Sequence, residues 1–397
     1  MDGTLISSPT PFTPPTTEED RLSRLRLIRS RRIGPGTFAR LLAEHGSAAD
    51  ALAALPAIAR SAGQNDYTPC TLAEAEAEYR AGRKAGAQLL CLGDADYPEA
   101  LAAIADAPPV LWACGRLPLC ARPALAMVGA RNASSLGQRM ARKLAEGLGY
   151  HGLVVVSGLA RGIDTVAHNA SLASGTIAVV AGGVDSVYPR ENAVLAAQIA
   201  ERGLVVSEQP MGLQPQARHF PRRNRIIAGL SRAVVVVEAA EGSGSLITAR
   251  DALEQGREVL AVPGHPLDAR AAGCNALILE GARLVRDVGD ILEALEGSIA
   301  QGARPVGPAR PVAMPSNASA PPPPRSAHAH HPAARVARPD LLALHGRILD
   351  QLGAAPLAED QLIRDLALPG ATVAPALLTL ELDGQVQRLP GGLLARI

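Results

Sequence analysis

The run VVVSGLARGID, residues 154–164, joins three β-branched residues to a loop holding a serine, two glycines and an arginine. An unbroken Val154-Val155-Val156 suits a strand buried on both faces of a parallel sheet. The residues after Asp164, TVAHNASLASG, fit a helix ending at Gly175. Strand, glycine loop and helix in that order make one unit of a doubly wound α/β sheet. Free backbone N–H groups at the helix start would then face an anion.

Five further apolar runs extend that unit, at 125–129, 176–181, 204–207, 233–237 and 258–262, each followed by a glycine-bearing or polar loop. The six strands predict one open, mostly parallel, extended Rossmann-like sheet over residues 81–298. The piece AQLLCLGDADYPEALAAIADAPPVLWACG adds short strands at its edge. Residues 1–20, rich in Pro, Ser and Thr, are expected to be disordered. Residues 21–80 carry helical periodicity broken at Gly34-Pro35-Gly36, a small helical domain of SAM or helix-hairpin-helix type, in which that turn either presents amides to a phosphate or serves only packing. A Pro/Ala-rich linker is expected at 299–339. Residues 340–397 read as three helices and a hairpin around Pro390-Gly391-Gly392, the order of a winged helix. From Asp340 onward seven acids face four arginines, which favours a protein contact or an autoregulatory role over base reading.

The whole chain has 397 residues, with 39 basic against 38 acidic. Any affinity for a polyanion must therefore come from a local patch. Five cysteines without a C-x-x-C pair exclude a disulfide framework and a structural zinc site. His328, His330 and His331 lie in the linker, so no metal is expected. The N-terminus lacks the pattern of a secretion signal and no apolar run approaches 18 residues, which predicts a cytoplasmic protein with no membrane partner. One Trp, five Tyr and three Phe are too few for a surface of many stacking rings.

In a doubly wound sheet the loops after the strands converge on one crevice. The first loop offers Arg131 and a helix cap at Ser134-Ser135. The second offers Ser157, Gly158, Leu159, Arg161 and Gly162, and the third Gly182 and Gly183. The fourth is decisive, because residues 209–232 hold Arg218, Arg222, Arg223, Arg225 and Arg232 with no acid among them. Phe220 and Asn224 sit within that patch, where a base can stack while guanidinium forks meet phosphates. Arg223 or Arg225 pairing with Glu208 or Glu238 is the competing reading. Ser243, Gly244 and Ser245 form a further amide nest.

Neither G-x-G-x-x-G after the first strand nor G-x-x-x-x-G-K-[ST] occurs, so NAD and ATP lack their usual cradle and no cofactor is expected. An alternative is a Rossmann-like nucleotide-processing hydrolase using Asp164, His168, Asp185, Glu208 or Glu238. His168, one turn after Asp164, can pair with it as an acid/base couple or as a helix-start contact. A third reading is an adaptor whose terminal domain binds a protein.

The motifs VGAR at 128–131, VSGLARGIDTVAH at 156–168, TIAVVAGGVDSVYPREN at 176–192, HFPRRNRIIAGLS at 219–231, VVVEAAEGSGSLITARDALEQGREVLAVPG at 235–264 and GCNALILEGA at 273–282 resemble the DprA/Smf family, bacterial DNA-processing proteins of natural transformation. The resemblance implies a non-enzymatic dimer that binds single-stranded DNA without sequence preference and loads RecA. It also implies that Arg131, the Ser157–Gly162 loop, Phe220 and the Arg222–Arg225 run form the strand-binding surface. A lysine found in part of the family three residues before the phenylalanine is Ala217 here, beside Arg218.

Overall fold

A computed structural model describes residues 14–61, 65–302, 341–352, 357–366, 368–382, 385–389 and 393–396. The chain forms two compact units divided after Pro305. The first opens with α1 (Glu18–Arg29), α2 (Pro35–His45), α3 (Ala48–Ser61) and α4 (Leu72–Lys84). Residues 18–20, expected to be disordered, are helical: Thr17 accepts the Asp20 N–H at 3.1 Å, and three acids occupy the first turn. Both features stabilise a helix start. Gly34 precedes α2 and Pro35 begins it, where a missing N–H costs nothing.

The sheet follows: β1 (Gln88–Cys91), α5 (Glu99–Ala102), β2 (Val110–Gly115), β3 (Ala124–Val128), α6 (Ser135–Tyr150), β4 (Val154–Ser157), α7 (Ile163–Ser171), β5 (Thr176–Val179), α8 (Ala193–Arg202), β6 (Leu204–Ser207), α9 (His219–Gly229), β7 (Ala233–Val236), α10 (Gly244–Glu254), β8 (Glu258–Ala261), α11 (Ala272–Leu279), β9 (Arg283–Leu284) and α12 (Val288–Gly302). Its order is β1-β2-β6-β5-β4-β3-β7-β8-β9. The pairs β1/β2 and β2/β6 are antiparallel and the others parallel. All six expected strands are present and the entry piece extends the edge as expected. The helix α7 stops at Ser171, four residues before Gly175.

Alternation along each strand divides two cores. Val154 and Val156 point to the face covered by α9, α10 and α11, with Ala126 and Val234. Val155 points to the other face, with Leu125, Met127 and Val235, under α6, α7 and α12. A strand covered on both sides must be apolar throughout, which is why the valine run is unbroken.

The helical segment and the sheet share a core, since Leu25 of α1 and Ala75 of α4 bury with Leu89, Cys91, Val110 and Trp112. Glu78 ties them further, accepting from Trp112 Nε1 at 2.7 Å and pairing with Arg29 at 2.8 Å. At the outer edge of β1, Arg21 donates to the Leu89 carbonyl at 3.2 Å and pairs with Asp94, which accepts the Cys91 N–H at 2.8 Å. Edge groups that would otherwise await another strand are thereby satisfied.

The second unit contains α13 (Leu341–Gln351), β10 (Leu357–Ala358), α14 (Glu359–Leu366), α15 (Gly370–Leu382), β11 (Val386–Leu389) and β12 (Leu393–Arg396), with strand order β10-β12-β11. Leu344, Ile348, Leu362, Val373, Leu377 and Leu394 form its core. This is the winged-helix arrangement expected. The linker from residue 303 and the hairpin tip at 390–392 lie outside the described residues. Among the described residues no helix is long and apolar enough to cross a membrane.

Candidate nucleic-acid interface

The strand order reverses between β3 and β7, because β4, β5 and β6 lie on one side of β3 and β7, β8 and β9 on the other. A crevice must open where consecutive connections leave in opposite directions. Loops after β3 and β7, the loop after β4 and the start of α9 meet there around a cleft of about 600 Å³. Its walls include Arg131 and Asn132 from the first loop, Ala160 and Asp164 from the second, Phe220, Pro221, Arg223 and Asn224 from α9, and Glu241 to Ser245 before and within α10. Arg131 also lines two smaller hollows beside it, one with Gly158, Arg161, Tyr188, Phe220 and Arg223, the other with Arg161 and Gly162.

Arg131, Arg161, Arg218 and Arg222 are exposed. Arg161 pairs with Glu191 at 2.7 Å, but both side chains are 61% exposed, so the pair contributes little and can be exchanged for another anion. Arg218 and Arg222 stand at the start of α9 beside the cleft-lining Phe220 and Arg223. Neither forms an ion pair among the described residues. Arg218 donates from Nε to His219 Nε2 at 3.3 Å.

Phe220 is half-buried. The Arg131 guanidinium lies over its ring at 5.4 Å from the centroid, and the Tyr188 ring lies 5.7 Å away, tilted by 56°. A base stacking on the Arg131 side must displace the guanidinium, which then becomes available to a phosphate. Tyr188 was not anticipated from sequence. It lies in the long loop after β5, 32 positions from Phe220, and only tertiary folding brings the rings together. Asn224 donates to the Gly244 carbonyl at 3.3 Å, joining α9 to the start of α10, where Ser243 accepts the Ser245 N–H at 3.4 Å.

Several expected contacts turn inward. Ser157 is fully buried and donates to the Met127 carbonyl at 2.7 Å, and Leu159 is a core residue. Gly182 and Gly183 are covered by residues 210–215 of their own chain. Arg225 lies against Asp106, with Nε–Oδ2 at 3.1 Å, and against Glu208 in a second, shorter ion pair. The competing reading therefore holds for Arg225, because α9 turns every third or fourth residue to the protein side.

Three amides at this loop are already taken. Those of Gly158 and Ala160 both donate to Asp164 Oδ2, at 3.1 and 3.2 Å, and that of Ile163 donates to the Ala130 carbonyl at 3.2 Å. The Asp164 carboxyl, in the first turn of α7, thus occupies the place where the strand–loop–helix pattern calls for an anion. Burial raises this carboxyl above the usual range, while Arg223 and the two amides oppose the rise. Arg223 is buried too, held down to about 10 chiefly by desolvation.

The acid/base candidates are committed elsewhere. Asp185 accepts the Gly212 N–H at 2.8 Å, and Glu238 accepts from the Ser134 hydroxyl at 2.6 Å and N–H at 3.0 Å. His168 does not couple to Asp164. Its Nδ1 lies 2.7 Å from Thr176 Oγ1, which itself donates to the Val155 carbonyl, so Nδ1 carries a proton and donates to the hydroxyl. Burial and Arg223 push the imidazole down to about 3. Because the unfolded ring titrates near 6.5, the unfolded chain binds more protons between those values, and stability falls as pH drops from about 6.5 toward 3. Replacing His168 with Asn, whose amide can still donate to Thr176, is expected to remove a share of that loss on the order of a few kcal/mol. Urea unfolding across the window checks this, and an unaltered pH slope would show that His168 is not buried neutral. Among the described residues no group of His, Cys, Asp or Glu can hold a metal ion.

The family described as DNA recombination-mediator protein A matches residues 88–296, a DprA-like N-terminal HHH domain matches 18–81, and a DprA winged helix domain matches 331–392. The DNA processing protein DprA of Streptococcus pneumoniae is 49% identical over 202 residues, covering 50% of this chain and 71% of that protein. The protein Smf of Synechocystis is 38% identical over 320 residues, covering 77% of this chain and 79% of that one. The X-ray structure of the S. pneumoniae DNA processing protein A superposes with a TM-score of 0.57 at 38% identity, over 72% of this chain and 98% of that chain.

Proposed function

Because the chain belongs to the DprA/Smf family of DNA-processing proteins, we propose that it is a cytoplasmic, non-catalytic mediator that grips single-stranded DNA at the crevice and loads RecA on it. It acts in natural transformation and homologous recombination, as a homodimer, and its acidic terminal unit contacts a protein partner. The observation that carries the reading is Arg131, which lines the main cleft and both hollows while masking Phe220. One residue thus offers a guanidinium fork to a phosphate and uncovers a ring for a base. Arg161, Arg218 and Arg222 extend the cationic track, and Gly158, Gly162, Asn224, Ser243, Gly244 and Ser245 shape its floor and the adjoining helix start. Arg223 lies beneath it.

Single strands suit this crevice because their unpaired bases expose a ring face, which a duplex withholds. Anisotropy with labelled single- and double-stranded oligonucleotides of one sequence tests the reading. Single strands should bind more tightly, with a log–log salt slope of roughly −0.7 per phosphate neutralised. Salt-insensitive binding would overturn it. Phe220→Ala is expected to cost about 1–3 kcal/mol for every sequence tested. A loss confined to one sequence would indicate base readout. RecA loading is tested by the lag before filament growth on a strand coated with single-strand-binding protein, which the full chain should shorten.

A further inference from the structure

We propose that the anion held by the loop after β4 is the protein's own Asp164 carboxylate, a positioning residue that fixes the loop amides and cancels the charge of Arg223 beneath the crevice. The geometry is specific. Asp164 is 5% exposed, and a single oxygen, Oδ2, accepts from both Gly158 and Ala160. Arg223 is 6% exposed, and its guanidinium fills the space a Cβ on Gly158 would need. Only glycine at 158 lets a buried arginine rise so close under the loop.

Arg223 makes no ion pair within 4 Å, and its Nε has no hydrogen-bond partner among the described residues. The groups acting on its charge are Asp164 from α7 and Arg131 from the loop after β3, with His168 neutral nearby. A buried cation balanced across a gap, without a bonded partner, leaves the carboxylate as its counter-charge. The pair sets the charge of the crevice floor: with both present it is neutral, and the exposed arginines alone count toward phosphate binding. Arg223 is then a support under the loop and not a phosphate ligand.

This inference rests on the strand-binding reading for its affinity arm and stands alone for its positioning arm. Asp164→Asn keeps an oxygen that can accept both amides but removes the charge. It should bind oligo-dT about fivefold more tightly at 0.1 M salt, with a slope steeper by about 0.7, the contribution of one added phosphate. Arg223→Met should weaken binding by leaving the carboxylate uncompensated. The double variant Asp164→Asn/Arg223→Met should return to within about twofold of the parent protein. A double variant as weak as Arg223→Met would make Arg223 a direct phosphate ligand and overturn the proposal, as would an Asp164→Asn slope equal to the parent's. The comparison of Arg223→Met with the double variant still discriminates if Asp164→Asn alone folds poorly, because the double variant buries no lone charge. Hydrogen exchange without DNA reads the positioning role: Gly158 and Ala160 amides should stay protected in Asp164→Asn and exchange faster in Asp164→Ala. Equal protection in both would overturn it. If the parent protein binds no strand while exchange behaves as stated, the functional reading falls and the positioning role remains.

Discussion

Gly162→Ala is expected to lower stability by about 3–5 kcal/mol and to abolish strand binding together with it. Gly162 has φ +72° and ψ −122°, a combination that an L side chain rarely adopts, and it caps the start of α7. A Cβ there would also collide with the carbonyls of Ala130 and Arg131, which are backbone atoms and have little room to yield. The Ile163 N–H donates to that same Ala130 carbonyl at 3.2 Å, so the collision falls where the loops after β3 and β4 are bonded together. Relieving it must separate Arg131 from the rest of the crevice. Denaturant unfolding and oligonucleotide titration of the purified variant measure both losses. A stable variant with unchanged affinity would mean that the two loops are not joined in this way.

Arg225→Ala should cost about 3–5 kcal/mol of stability and leave the salt slope of DNA binding unchanged below its melting temperature. Arg225 stands two residues from Arg223, with only Asn224 between them, yet its side chain is only 13% exposed and lies between Asp106 and Glu208. Burial raises the Glu208 carboxyl, and Arg225 is foremost among the groups that oppose the rise. Removing the guanidinium leaves that carboxylate without its nearest cation, which is far more costly than losing an exposed pair. The Arg225 carbonyl also accepts from Gln255 Nε2 at 3.0 Å, but this backbone contact survives the substitution. A shallower salt slope in the folded variant would return Arg225 to the strand-binding track.

The contrast between these neighbours shows how far the primary structure could be read. Unbroken apolar runs, each followed by a glycine-bearing or polar loop, sufficed for the sheet, because strands covered on both faces leave no polar position. The order of helices and strands likewise revealed the winged helix, and the glycine-bearing loops located the crevice at the strand ends. The basic run at 218–225 falls at the start of α9, beside the cleft. It did not reveal which arginines face solvent, since a helix distributes consecutive residues around its axis and their partners come from distant segments. Asp106 lies 119 positions from Arg225, and Glu208 lies in the loop after β6.

Composition and pattern by themselves determined the fold class, the position of the crevice and the cationic character of one of its walls. These depend on local periodicity and on a switch in strand order that any chain with this arrangement must make. Tertiary structure alone decided that Tyr188 stands beside Phe220, that Arg131 covers the ring, that Arg225 is neutralised internally, and that Asp164 takes the loop amides. The physical reason is that electrostatic and stacking interactions act over a few ångströms of space, whatever the separation along the chain, whereas apolar periodicity is written in neighbouring residues.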